Sequence, residues 1–102
     1  MSPTDLEAAR AQHRTELLHR IDQHPDHAIP CRAVDLHTAG AWTSDEDDEQ
    51  RVAAAACRSA PCPVIEACKA YGITHPREVG AYGGLTETER RRTARDTERR
   101  TA

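Results

Sequence analysis

The stretch "CRSAPCPVIEAC", residues 57–68, carries three thiols, and a fourth, Cys31, lies well upstream. Thiolates are soft ligands and nucleophiles, so four of them in a small chain point to zinc, an iron–sulfur cluster, disulfides or redox exchange. The intervals are twenty-five residues from Cys31 to Cys57, four to Cys62 and five to Cys68. Zinc fingers and ribbons favour two close pairs. Here one distant cysteine joins a local three, and iron–sulfur clusters accept four thiolates at several spacings. Electrostatics does not separate zinc from a cluster, because a doubly charged ion and a doubly charged core neutralise four thiolates equally. His24, His27 and His37 flank Cys31, but four cysteines already fill a tetrahedral shell. Arg32, Arg58 and Lys69 adjoin three of the cysteines and could offset thiolate charge. A thioredoxin-like reductase needs C-x-x-C on a βαβ pattern, and neither is present. No glycine-rich phosphate loop or paired-carboxylate site stands out, so no enzyme is expected.

The thiols need elements to position them. Leu6, Ala9, His13, Leu17 and Ile21 form one stripe, which predicts a first helix over 3–22. Thr4 with Glu7 fits a capping box behind Pro3. Prolines at 25 and 30 end it and put Cys31 on a loop. "DLHTAGAWTS" has no clear period. Ser44 can cap a second helix whose first turn holds Asp45, Glu46 and Asp47 at the positive end of the dipole, and the alanine run to Cys57 continues it. "SAP" breaks it, and Pro63 opens a short third helix with Gly72 as its stop. The second and third helices can then turn Cys57, Cys62 and Cys68 inward, with Cys31 arriving from its loop. Thr86 with Glu89 caps a last helix, nearly devoid of apolar residues. The expectation is an all-α chain: a small bundle of about four short helices around the four cysteines. Its parts are an N-terminal helix (1–27), a cysteine domain (28–85) and a basic C-terminal helix or tail (86–102).

Composition agrees with a stapled domain. The 102 residues are 37% hydrophobic and only 3% aromatic, with no Phe. So little large apolar surface struggles to offset backbone entropy of roughly 1–2 kcal/mol per residue, and small chains of this kind use a staple. The opening residues are polar and charged with no apolar core of a leader, and no stretch reaches membrane-spanning length. A cytoplasmic protein is expected, where thiols stay reduced and an even cysteine count favours metal over disulfides. The net charge is −3, but six arginines from Arg90 onward face only Asp96 and Glu98. That basic end is either a solvated helix or a nucleic-acid contact.

The segments "PCRAVD" (30–35), "WTSDE" (42–46), "AAAACRSAPCPVIEACKAYG" (53–72) and "GAYGGLTETERRR" (80–92) together resemble the WhiB-like family of actinobacterial and actinophage transcription regulators. The resemblance covers roughly residues 28–95. It implies a four-iron four-sulfur cluster on Cys31, Cys57, Cys62 and Cys68, with zinc as the alternative cofactor. It further implies a monomer that binds the C-terminal domain of the principal sigma factor, contacts promoter DNA through its basic end, and responds to oxidants or nitric oxide. Partner contacts are then expected from Trp42, Tyr82, Gly83 and Gly84, and DNA contacts from Arg90, Arg91, Arg92, Arg95, Arg99 and Arg100. The alternative function is a zinc-stapled interaction module without a redox role. Two features depart from the family pattern: the "CRSAPC" loop has four residues where two are usual, and Tyr82 stands in place of Trp.

Overall fold

A computed structural model describes residues 2–34 and 36–101; Met1, Asp35, Ala102 and the side chains of 36–38 and 101 lie outside the description. Six α-helices follow in order: α1 (Pro3–Asp22), α2 (Pro30–Ala33), α3 (Leu36–Thr43), α4 (Asp47–Ser59), α5 (Ile65–Thr74) and α6 (Glu87–Thr101), with a 3-10 turn at Asp26–Ala28. Among the described residues there is no strand, only an isolated bridge between Tyr82 and Leu85, and no helix is long and apolar enough to cross a membrane.

The expected all-α class is observed, with more helices than the sequence suggests. The extra ones are α2 and α3. Pro30 sits in the first turn of α2, where its missing N–H costs nothing, so Cys31 is helical rather than on a loop. The α3 helix, which shows no clear period in sequence, is held by packing against α4.

The caps also differ in detail. The box of α1 is formed by Ser2 and Asp5, not Thr4 and Glu7. At α4 the N-cap is Glu46, while the Ser44 hydroxyl accepts the Glu46 N–H at 3.0 Å. Thr86 and Glu89 do form the reciprocal box that opens α6. Gly72 is not a stop. It is buried inside α5, and a Cβ there would meet Arg90 Cδ at 2.6 Å and Tyr82 Cβ at 2.7 Å. Its role is to let two side chains from the following segments lie against the helix.

Two small cores hold the fold. One gathers Trp42, Ala53, Ala54, Cys57 and Ala81; the other gathers Leu17, Ile29, Cys62 and Val64. Cys31 and Ile65 pack against both. The thiols therefore occupy the seam where a larger domain would place aromatic rings. The α1 helix lies on α5, and α5 meets α6.

Candidate metal centre

Cys57 is in the last turn of α4, Cys62 lies between α4 and α5, Cys68 is on α5 and Cys31 on α2. All four line one cavity of about 230 Å³, walled by Leu17, Ile29, Trp42, Val64 and the turn at Ala81–Gly83. All four are free thiols. The four-residue loop is accommodated outward. The Cys62 N–H donates to the Cys57 carbonyl at 3.0 Å, closing the helix end, while Arg58, Ser59, Ala60 and Pro61 stay exposed. The wide loop thus still turns both sulfurs to one side.

Donors are already aimed at the sulfurs. The Trp42 indole N–H donates to Cys57 Sγ at 3.1 Å, and the Gly83 N–H to Cys68 Sγ at 3.2 Å. The Val64 N–H is directed at Cys62. Burial pushes the Cys68 thiol up to about 12, with the neighbouring thiols adding to it and the Gly83 N–H opposing. Cys31 and Cys62 are raised as well, first by burial and then by nearby cysteines. Such a set resists ionisation unless a cation supplies the missing charge.

The turn that brings Gly83 to Cys68 is a two-residue hairpin. Tyr82 and Leu85 exchange N–H···O bonds at 3.0 Å, and Gly83 has φ +60°. A Cβ on Gly83 would overlap the Lys69 backbone, so the turn lies flat on α5. Tyr82 is half-buried on the cavity wall, 5.6 Å from the Tyr71 ring. Its hydroxyl is pushed well above the ordinary phenol range, by burial first and then by Glu78.

The other residues singled out in sequence fall in three places. His24 and His27 line an outer groove with Pro61 and Pro63 and are not among the residues lining the thiol cavity, and the His37 side chain lies outside the described residues. Trp42, expected at a partner surface, is only 9% exposed, and Gly83 and Gly84 are buried. Any partner contact there passes through Tyr82 or the backbone. Arg58 donates to the Gly84 carbonyl, and Arg32 lies 3.9 Å from Asp26.

Arg90 corrects an expectation. The sequence groups it with the DNA-contacting arginines, yet it is 0% exposed. Its Nη1 donates to the carbonyls of Gly72 (2.9 Å) and His75 (3.1 Å), and its Nη2 to those of Gly80 (2.9 Å) and Glu78. Its guanidinium carbon stands 4.8 Å from the Tyr82 ring centroid. Arg90 is a clamp that ties α6 to the 72–80 segment and to the hairpin. Arg91, Arg92, Arg95, Arg99 and Arg100 remain exposed on α6. Gln50, not singled out in sequence, is also buried. It donates to the Ser44 carbonyl and accepts from the Glu87 N–H, both at 2.8 Å. Within the acid-rich start of α4 nothing marks it as a bridge.

Among known proteins, the family model described as "Transcription factor WhiB" matches residues 26–93. The chain belongs to the WhiB family. WhiB relatives include the transcriptional regulator WhiB4 of Mycobacterium tuberculosis, 37% identical over 73 residues, covering 59% of this chain and 60% of the relative. WhiB4 of Mycobacterium marinum is 41% identical over 64 residues, covering 60% of this chain and 47% of the relative. The redox- and pH-responsive transcriptional regulator WhiB3 of M. tuberculosis is 34% identical over 64 residues, covering 59% and 61%. The match therefore spans about half to three-fifths of the length of these WhiB proteins. No solved structure gives a significant match. The WhiB match contains all four cysteines and the hairpin but leaves out the whole of α1 and the end of α6.

Proposed function

We propose that this chain is a transcription regulator that holds a four-iron four-sulfur cluster on Cys31, Cys57, Cys62 and Cys68, docks on the C-terminal domain of the principal sigma factor, and adds a DNA contact through α6. The observation that carries the cluster is the convergence of four thiols on one cavity with N–H donors already directed at three of them. The residues fit the group: four soft donors, no competing histidine among the described residues of the cavity walls, and hydrogen bonds of the kind that tune a cluster. When bound, the cluster supplies an oxidant-sensitive link among α2, α4 and α5. The chain's own part is to exclude water with Leu17, Ile29 and Val64 and to orient the sulfurs through Trp42 and Gly83.

Zinc is the second candidate. A single tetrahedral zinc requires thiolates about 3.8 Å apart, given Zn–S bonds of roughly 2.3 Å. Among the described residues no three Cys, His, Asp or Glu side chains gather as ligands of one ion. The four cysteines offer zinc and a cluster the same donor set, so metal and sulfide content separates the two. The sigma and redox parts rest on the family and on the redox-responsive relative. The DNA part rests on the exposed arginines of α6 beyond the clamped Arg90.

The test is iron, zinc and acid-labile sulfide content of protein purified without oxygen. About four irons and four sulfides per chain are expected. One zinc without sulfide would overturn the cluster and leave the interaction module.

A further inference from the structure

The α1 helix lies wholly outside the family match, yet it builds one wall of a second cleft. Arg10 and Arg14 from α1 face His75, Pro76, Arg77 and Glu78 across a cavity of about 240 Å³. Arg10 is held in place by its Nε, which donates to the Thr74 carbonyl at 3.0 Å; this keeps both Nη groups for a ligand. Arg91 of α6 reaches the same turn, its Nε donating to the Pro76 carbonyl at 3.1 Å. The cleft is therefore continuous with the basic helix.

Its charge is only partly offset: three guanidinium groups face one carboxylate. Arg20, Arg32, Arg51, Arg91 and Arg99 each lie within 4.0 Å of a carboxylate. Among the described residues Arg10, Arg14 and Arg77 have no such carboxylate partner. The one acid in the cleft, Glu78, accepts the Tyr71 hydroxyl at 2.6 Å. Three arginines on two segments, one of them anchored through a backbone carbonyl and all lining one open cleft, suit the bidentate, repeated acceptors of a phosphate backbone.

We propose that Arg10, Arg14 and Arg77 extend the DNA-contacting surface from α6 across the 75–78 turn onto α1, so that the N-terminal helix grips phosphates beside those met by α6. This rests on the DNA-contact part of the proposed function. The contact is to the backbone, carries no base specificity, and adds to the salt dependence of binding.

The test is fluorescence anisotropy of the full chain, purified without oxygen, on a labelled duplex across a series of NaCl concentrations. The R10Q/R14Q/R77Q variant should lower the slope of log affinity against log salt by about 2–3, because each phosphate neutralised contributes roughly 0.9 to that slope. Because Arg10 also holds Thr74, the R14Q/R77Q variant, altered only at exposed positions, is measured beside it and should lower the slope by about 2. A parallel variant, R92Q/R95Q/R99Q/R100Q, reports α6 alone. A reduced slope in all three supports both ideas. If only the α6 variant changes, the cleft proposal is overturned and the α6 contact stands. If only the cleft variants change, the cleft proposal stands and the α6 contact fails. No change in any variant, or no salt-dependent binding by the unmodified chain, overturns both. If the cleft variants keep their DNA slope but no longer bind a sigma-domain polypeptide, the cleft is a protein-docking surface and the proposal is overturned.

Discussion

Replacing Arg90 by Met keeps most of the side-chain length and removes every donor. The four carbonyls of Gly72, His75, Glu78 and Gly80 then lose their partner together. An unsatisfied buried acceptor costs about 1–3 kcal/mol, so four set a ceiling of about 4–12 kcal/mol. Two effects reduce it. The 73–79 segment is largely half-exposed, so water can reach some of these oxygens, and removing a buried cation recovers part of its desolvation cost. Burial indeed pulls the guanidinium below its usual range, against the opposing influence of Tyr82, Glu87 and Glu78. A net loss of about 3–5 kcal/mol follows, the usual cost of breaking a buried charged contact from one side. For a domain near 100 residues that lowers Tm by about 15–25 °C. Arg90→Lys should lose roughly half as much, because an ammonium cannot span four carbonyls as a planar fork does. Thermal melts followed by far-UV circular dichroism measure both. A Tm for Arg90→Met within about 5 °C of the unmodified chain, with DNA affinity selectively reduced, would refute the clamp and return Arg90 to the basic surface.

Two further outcomes follow from the same segment. Gly83→Ala forces a Cβ into the Lys69 backbone at a positive φ that alone costs about 1–2 kcal/mol; the hairpin should lift from α5, Cys68 should lose its N–H donor, and iron retained per chain should fall, which elemental analysis reads. Burial pushes the Glu78 carboxyl up, but hydrogen bonds from Tyr71 and Tyr82 outweigh it and hold the group below its ordinary value. A depressed folded value means that its stabilisation is present above the unfolded value and is lost as pH falls through the folded one. Urea midpoints should therefore decline on acidification below the ordinary carboxylate range, and Glu78→Gln should remove part of that decline. An identical acid profile in the variant would show that Glu78 contributes nothing to it.

What can be read from the sequence is local. The bounds of α1 follow from its apolar stripe and the prolines after it, and the α6 box from Thr86 and Glu89, because each signal involves neighbours in the chain. The cysteine pattern is legible for the same reason: three thiols fall within two consecutive helix ends. What escapes reading is non-local. Arg90 sits in "ERRR" and looks like its neighbours; only the return of the 72–80 segment beneath α6 gives it four acceptors. Gly72 stands near a helix end and so resembles a stop, whereas its missing side chain makes room for Tyr82 and Arg90. Gln50 hides in an acid-rich helix start, and its two partners lie six and thirty-seven residues away. The α3 helix lacks a period because its conformation is set by contact with α4 rather than by its own alternation.

The chain has a single tryptophan, and that indole donates a hydrogen bond to a cysteine sulfur of the site. Its emission is therefore an optical gauge built into the fold. Whatever the thiols hold sits within a few ångströms of the only strong near-ultraviolet fluorophore, so loading and loss can be followed in real time without a label. The two tyrosines, one of them on the same wall, add little competing signal.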